Sequence, residues 1–404
     1  MMVFPKHRAE QFLYSFSPVV LPLASGFIIH LLMARSILPQ AYAIIPQALA
    51  LVSLATTIAY FINHDVAARE IAIAEDPRRT TVAFFMGRIM FTLAGASVCI
   101  LVAFLMYGSA IKTMALFLLW FVASIGITEN LGQAWRSNGQ YKKASLLYLI
   151  SFLILLTGIV YIYHHQATPL KLAVVLLLST ITAAAFFAGS IISYLKLPDL
   201  AVLKKILKKS LPIALSGIAL YISNWFGVVY LTAAGISEDL TYYFLAGKFA
   251  GAHLIGIFIL YFAYIPALSK KDDERLEILF KKWLWAIVLY VVLSSLGVIY
   301  ILLPLITKFW GPQYQKVHIY YLNYIPWIFF SCISYYTGMF IYARGLVSII
   351  GKFQIILAVL TVFIVVLGYS KWGTISLPLA ESLAMLIAGA GQYILWQRHR
   401  SIIT

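Results

Sequence analysis

The chain alternates apolar stretches of about 20 residues with short polar connections, from Phe12 to Trp396. A helix rises about 1.5 Å per residue, so each stretch is long enough to cross a hydrocarbon core of about 30 Å. Helices satisfy their own backbone hydrogen bonds, which makes them the structure that suits such runs in lipid. The pattern predicts an all-α polytopic membrane protein with twelve spans, near residues 12-34, 41-62, 82-107, 113-131, 146-163, 169-194, 211-234, 242-267, 283-306, 317-342, 351-369 and 374-396.

Composition supports this prediction. Hydrophobic residues make up 62% of the chain, charged residues only 11%, and the mean hydropathy is +0.92. A soluble domain carries about 25% charged residues, so water-soluble enzyme classes are excluded.

The basic residues predict the orientation of the spans. Of the 30 lysines and arginines, 22 fall in every second connection or at the two ends of the chain. Basic residues near span ends stay on the cytoplasmic side, so both termini are predicted to be cytoplasmic. The net charge of +16 follows mainly from these loops. We expect no nucleic-acid partner, because no RNA- or DNA-binding module fits into connections this short.

The most charged internal connection, from Leu195 to Ser210, divides the spans into two sets of six. We predict an N-terminal six-helix lobe at 1-195, a basic cytoplasmic linker at 196-210 and a C-terminal six-helix lobe at 211-404. The linker's apolar residues recur at helical spacing between lysines, which predicts an amphipathic helix on the inner membrane surface. Two six-helix repeats suit a transporter.

Motifs for enzymatic chemistry are missing from the sequence. It contains no Walker loop, zincin helix, nucleophile elbow or nicotinamide fingerprint, and no outer connection exceeds about a dozen residues. Cys99 and Cys332 lie far apart in two spans and suggest neither a disulfide nor a metal site. We therefore expect a protein that is not an enzyme and has no cofactor. The function that remains is transport driven by an ion gradient or by the membrane potential.

Basic residues inside or at the ends of spans are candidates for substrate binding. Lys248 lies six residues into span eight, Arg88 lies in span three, and Arg35 stands at the outer end of span one. A charge at the centre of a span costs about 2.5 to 3.5 kcal/mol, so it usually faces a polar cavity. The alternative is that these side chains snorkel to the headgroups.

Acidic and polar residues within spans are the second group of candidates. Glu129, Glu381 and Asp65 are candidates for ion coupling, with structural pairing as the alternative. Three further candidates for substrate binding are His30, His64 and Asn224. Buried histidines with satisfied hydrogen bonds, and an amide that packs helices together, are the alternatives for these three.

Several segments resemble the polysaccharide transporter branch of the multidrug/oligosaccharidyl-lipid/polysaccharide (MOP) exporter superfamily, in particular the Wzx-type O-antigen flippases. Five segments carry this resemblance: LLMARSILPQAYA at 31-43, GQAWRSNGQYKKAS at 132-145, TYYFLAGKFAG at 241-251, IPALSK at 265-270 and FWGPQYQK at 309-316. The chain departs from the family's first outer loop, because Leu38 rather than glycine precedes Pro39 and Ala43 follows Tyr42.

The resemblance implies two six-helix lobes around a central cavity. It also implies a flippase of lipopolysaccharide biosynthesis in the bacterial cell inner membrane. Its implied substrate is an undecaprenyl diphosphate-linked oligosaccharide, moved from the cytoplasmic to the periplasmic leaflet by alternating access. Other expected partners are membrane lipid and the polymerase and chain-length regulator of the same pathway. The alternatives are a drug or metabolite exporter of the same superfamily and, from another class, a membrane polymerase or ligase of that pathway. A purely structural membrane scaffold is a further alternative.

Overall fold

The protein is described by a computed structural model that covers residues 6–257, 273–343 and 347–400; side chains are described from Val20 onward, except at positions 65, 72, 109, 273–277, 342–343, 347–350, 395–396 and 398–400. Within these ranges the chain is helical and has no strand, so the predicted all-α membrane fold is confirmed. Contacts divide it into two compact units, Met1–Gly217 and Ile218–Thr404. The predicted lobe boundaries at 195 and 211 stay a prediction.

The first unit contains ten complete helices and the beginning of an eleventh within the described ranges. They are α1 (Lys6–Ser36), α2 (Pro39–Tyr42), α3 (Ile44–Ala59), α4 (His64–Ala72), α5 (Pro77–Met106), α6 (Ile111–Phe121), α7 (Asn130–Ser137), α8 (Tyr141–His164), α9 (Pro169–Ala185), α10 (Ala188–Tyr194) and α11 (Leu200–Ala233). Helix α6 continues into α7 through a π-helical segment, Val122–Glu129. Phe85, Leu131, Trp135 and Leu147 form part of a core shared by α5, α7 and α8.

The second unit contains the end of α11 and α12 (Ser237–Ala252), α13 (Asp273–Gly297), α14 (Leu303–Trp310), α15 (Lys316–Ala343), α16 (Val347–Trp372) and α17 (Ser376–Arg400). A π-helical segment, Val298–Leu302, joins α13 to α14. A core cluster that includes Leu357, Ala384 and Met385 lies where α16 packs against α17. Gly373, whose φ is +58°, lies in the tight turn between these two helices, a conformation that glycine adopts without steric cost.

Eight helical segments of the described chain have the length and hydropathy needed to cross a membrane, or nine if one bent pair forms a single span. One of the eight, Gly351–Ile394, takes in the last two predicted spans. The first and eighth predicted spans are only partly described, and IPALSK at 265-270 lies outside the described residues. The count of twelve spans therefore stays a prediction.

The structure differs from the sequence prediction at the sixth span. The span predicted at 169-194 is two helices, α9 and α10, which meet at an angle of 79°. Phe187 lies at the break, and its ring packs edge-on against Trp135, with 5.1 Å between the ring centroids. Packing of this aromatic pair accompanies the bend, which the hydropathy of the segment does not reveal.

The structure also differs from the prediction at the linker, which does not form a separate surface helix. Residues 200–210 form the first turns of α11, which continues unbroken through Pro212 to Ala233. Ile206 is fully buried in a cluster with Ile62, Ala67 and Phe84, and Leu203 packs against the same cluster. The apolar face of this segment is therefore buried against side chains of α4 and α5.

Candidate functional site

Lys248 stands on α12 with its ammonium group among aromatic rings. Its Nζ lies 4.7 Å from the centroid of Phe244, one helical turn earlier, and 6.0 Å from that of Trp225 on α11. Ring faces attract cations within about 6 Å, which holds the lysine in place without neutralising it. The side chain is exposed, and no carboxylate in the described ranges lies within ion-pair distance of it.

Helix α11 presents two further groups in this region. Asn224 is exposed and directly precedes Trp225, which is half-buried. An amide donates and accepts hydrogen bonds, and an indole face offers an apolar plane. Together with the ammonium of Lys248, these groups suit a ligand that carries a negative charge and hydroxylated rings. The structure thus brings two predicted site residues, Lys248 and Asn224, to adjoining helices of one unit.

Glu381, on α17, is a predicted ion-coupling residue that lies in the second unit. It is half-buried and accepts a hydrogen bond from the hydroxyl of Tyr243. The Tyr243 ring stacks on Tyr324 of α15, with 5.7 Å between centroids. Two glycines make room for these rings. A Cβ at Gly227 would lie 2.5 Å from the Tyr243 hydroxyl, and one at Gly247 would lie 3.2 Å from that of Tyr324. We find no cation paired with Glu381 in the described structure.

In the first unit, Arg88 and Glu129 form one ion pair. Arg88 is fully buried; its Nη2 lies 2.8 Å from Glu129 Oε1, and its Nη1 donates to the Ile62 carbonyl at 3.4 Å. The guanidinium carbon also lies 4.5 Å from the ring centroid of Tyr60, whose hydroxyl donates to Glu129 at 3.4 Å. The role predicted for Arg88 is substrate binding, and the role predicted for Glu129 is ion coupling. The structure pairs them, and those roles stay predictions.

The π-helical segment sets the position of Glu129. A π turn adds one residue to the helical turn and is frequent at functional sites. The following residue, Asn130, is fully buried and donates from Nδ2 to the carbonyls of Phe85 and Gly126, at 2.9 and 3.2 Å. These bonds fasten the segment to α5, the helix that carries Arg88. The local fold therefore fixes both partners of the ion pair.

The remaining candidates of the first unit are more dispersed. His64 lies beside the Arg88 group, since its ring centroid is 5.8 Å from that of Tyr60. His30 is buried, and its Nδ1 lies 2.7 Å from the Tyr42 hydroxyl. Arg35 is exposed in the last turn of α1. Asp65 belongs to α4, and its side chain lies outside the described residues.

Sequence reasoning missed four aromatic partners: Tyr60, Trp225, Tyr243 and Tyr324. Aromatic belts at the membrane surfaces account for most tyrosines and tryptophans of membrane proteins, so an aromatic residue in a span does not by itself indicate a site. The position of Phe244 four residues before Lys248 was a signal, because residues at that spacing meet on one helix face. The other contacts join helices that are distant in sequence, and one sequence holds no signal for them.

Metal binding by a cluster of side chains has no support in the described part of the chain, where no three His, Cys, Asp or Glu residues are grouped. Cys99 and Cys332 are both buried and unpaired with each other.

The fold matches solved transporters of the MOP superfamily. An inward-facing multidrug resistance MATE family transporter aligns with a TM-score of 0.73, over 97% of this chain and 95% of that one, at 14% identity. An outward-facing structure of such a transporter has a TM-score of 0.64, over 96% and 94% of the two chains, also at 14% identity. No family model and no curated protein matches the sequence.

A third solved structure is a MOP superfamily transporter from Pyrococcus furiosus. It has a TM-score of 0.65 and 14% identity, over 97% of this chain and 94% of that one. It is described as having a binding pocket of reverse polarity, which suggests a different function for that protein. These likenesses show that the chain has the fold of MATE family transporters.

Proposed function

We propose that this protein is a flippase that moves an undecaprenyl diphosphate-linked oligosaccharide, such as an O-antigen repeat unit, from the cytoplasmic to the periplasmic leaflet of a bacterial inner membrane. The observation that carries this proposal is the exposed ammonium of Lys248, held against Phe244 and Trp225 without a carboxylate partner in the described structure. A diphosphate is a strong acceptor for such a cation, because charge-assisted hydrogen bonds are short and strong.

The surroundings of Lys248 suit the rest of the head group. Sugar rings have apolar faces that pack on aromatic side chains, and their hydroxyls bond to amides such as that of Asn224. The lipid tail remains in the bilayer, where contact with apolar helices costs nothing. Support for alternating access comes from the fold, which matches both an inward-facing and an outward-facing transporter.

The proposal extends to the setting of the protein. Both termini lie in the cytoplasm, where the basic connections place them. The product is released toward the periplasmic leaflet, so the polymerase and chain-length regulator of the pathway are the partners proposed for it.

Flipping measured in proteoliposomes tests the role of Lys248. The purified protein is reconstituted with a polyprenyl diphosphate-linked oligosaccharide, and an impermeant glycosidase reports how much substrate is exposed over time. We expect Lys248→Ala to lower the initial rate at least tenfold, since a charge-assisted bond is worth about 1.5 to 3 kcal/mol. Lys248→Arg retains part of the rate, because the charge remains while its geometry changes.

Lys316→Ala is the matched control. This lysine also lies over a ring of the second unit, with its Nζ 5.6 Å from the centroid of Tyr242, but it begins α15 at the end of a connection. We expect it to flip at the wild-type rate. Full activity of Lys248→Ala, or equal losses in the two variants, would contradict the proposed site.

A drug exporter is the second candidate function, and Glu381 is the observation that favours it. A half-buried carboxylate without a cationic partner in the described residues suits an organic cation or a coupling proton. Efflux of a fluorescent organic cation from the same proteoliposomes distinguishes the two. A drug exporter moves the dye and leaves the lipid-linked oligosaccharide in place, and Glu381→Gln abolishes that efflux.

A further inference from the structure

The first unit contains a basic cavity that none of the residues described above lines. It measures about 430 Å³ and is lined by residues at the start of α5 and in the connection before α11. Arg78, Arg79 and Lys196 supply three positive charges, and Asp76 and Asp199 supply two negative ones. All of these residues belong to cytoplasmic connections in the predicted topology.

The two carboxylates of the cavity are already engaged. Asp76 accepts a hydrogen bond from the backbone N–H of Arg79 at 3.0 Å, as the N-cap of α5. Asp199 accepts from the N–H groups of Ala201 and Val202, at 2.8 and 3.1 Å, and pairs with the guanidinium of Arg79. The Val202 N–H and Arg79 hold the pKa of Asp199 below its usual range, so it stays ionised at neutral pH.

Two cations of the cavity therefore remain for an external anion. Arg78 and Lys196 are both exposed, and neither lies within 4.0 Å of a carboxylate in the described part of the chain. With three cations and two carboxylates the cavity has a net charge of +1, which matches the single negative charge of a phosphodiester, and an arginine offers that group paired donors.

Apolar side chains stand at the same place. Leu197, which also lines the cavity, is 96% exposed, and Leu200, the residue after the lining Asp199, is 73% exposed. Exposed apolar side chains that lie together mark contact with an apolar partner. A free phosphate or a nucleotide leaves them in water. An amphiphile covers them with its acyl chains while its head group occupies the cavity.

From this arrangement we infer that the cavity binds an anionic phospholipid of the cytoplasmic leaflet, with its phosphate on Arg78 and Lys196 and its acyl region against Leu197. Anionic lipids attract basic residues at this membrane surface, and basic pockets beside membrane helices bind their head groups. The site shares no residue with the surroundings of Lys248 and is independent of which substrate the protein transports.

Native mass spectrometry of the full-length protein in detergent tests this inference. Phosphatidylglycerol and phosphatidylcholine are titrated separately, and bound lipid is counted for each. We expect wild type to bind phosphatidylglycerol more tightly. The double variant Arg78→Gln/Lys196→Gln loses at least tenfold in affinity for it, because it removes both cations that hold the phosphate. Leu197→Ser, at a fully exposed position, lowers the affinity at least threefold without touching a charge.

The double variant Lys143→Gln/Lys208→Gln is the matched control. Both lysines are exposed on predicted cytoplasmic segments and lie outside the cavity. Replacing them removes the same total charge as replacing Arg78 and Lys196. We expect this control to bind phosphatidylglycerol within twofold of wild type. Equal losses in the two double variants, or equal affinities for the two lipids, would overturn the inference. Competition by millimolar inorganic phosphate would do so as well, since it would make the cavity a general anion site.

Discussion

The guanidinium of Arg88 has no exposed surface, and its charge is balanced within its own unit by Glu129. Burying two charges is expensive, and the attraction between them offsets that cost only while both are present. Arg88 Nε has no hydrogen-bond partner, so the site depends strongly on the bonds that Nη1 and Nη2 make. We therefore assign the pair a structural role in holding α5 against the π-helical segment.

Removing Arg88 leaves the Glu129 carboxylate without its partner. Arg88→Ala is expected to destabilise the protein by about 3 kcal/mol, the lower end of the cost of breaking a buried ion pair, because the Glu129 side chain is 21% exposed. Thermal unfolding in detergent, followed by loss of monodisperse protein, measures the effect. Adding Glu129→Gln to Arg88→Ala should recover part of the stability, because the stranded charge is removed.

Arg69→Ala, at an exposed position in the last turn of α4, is the control for this prediction and should unfold at the wild-type temperature. Unfolding of Arg88→Ala at that same temperature would contradict a structural role. It would leave substrate binding as the explanation for this arginine.

At this scale the sequence predicts which charges lie inside spans, but not their partners. Arg88 and Glu129 are 41 positions apart, and their contact depends on how the π-helical segment is aligned with α5. A one-residue change in that segment would turn Glu129 by about 100° around the helix axis. Hydropathy carries no information on such an alignment, so the pairing could not be predicted.

Among the helices, α11 is fastened to α4 by charges as well as by apolar contacts. Glu70, which is only 4% exposed, accepts hydrogen bonds from Lys205, at 2.9 Å, and from Lys209. The residue after Lys209 on α11 is Ser210, whose Oγ accepts a hydrogen bond from the Asn63 N–H at 3.1 Å. The lysines of the predicted linker thus serve a contact within the first unit.

This contact predicts a dependence of stability on pH. Lys209 and then Lys205 hold the pKa of Glu70 below its ordinary value of 4.5. A carboxyl with a lowered pKa in the folded state contributes stability above its unfolded pKa, and this is lost as the pH falls through the folded pKa. Wild type should therefore unfold at a higher temperature than Glu70→Gln at pH 6 to 7, and the difference should shrink below about pH 4.5.

Thermal unfolding of the two proteins in detergent between pH 7 and pH 3 checks this prediction. Glu75→Gln removes an exposed carboxylate from the following connection and should match wild type throughout. A difference between wild type and Glu70→Gln that stays constant down to pH 3 would show that the charge of Glu70 does not fasten α11.

The sequence predicts that the linker is helical, but it does not predict which helices the linker contacts. The spacing of Leu203 and Ile206 indicates an apolar face, and a membrane surface and a protein surface satisfy that face equally well. The bend between α9 and α10 was missed for a related reason. It is accompanied by packing of Phe187 on Trp135, whereas the hydropathy of 169-194 is that of an unbroken span.

For the whole molecule, the apolar rhythm predicts an all-α membrane protein, and the resemblance adds the superfamily to which the solved structures of similar fold belong. Such a rhythm is strong evidence because few other structures contain so many long apolar helices. The substrate does not follow from it, since one fold hosts many functions. Only individual side chains, such as Lys248, distinguish a flippase from a drug exporter.

The orientation of the chain is the prediction that belongs to this scale, and it rests on the uneven distribution of basic residues. Cysteines introduced at Gln313 and Ser370 should react with an impermeant thiol reagent added to intact cells, while those at Asn138 and Lys143 should react only after the membrane is opened. All four positions are exposed, so access to the reagent depends on the side of the membrane rather than on burial. The native Cys99 and Cys332 are buried and give little background. Labelling of Asn138→Cys or Lys143→Cys in intact cells would reverse the orientation, and with it the direction of transport proposed for the oligosaccharide.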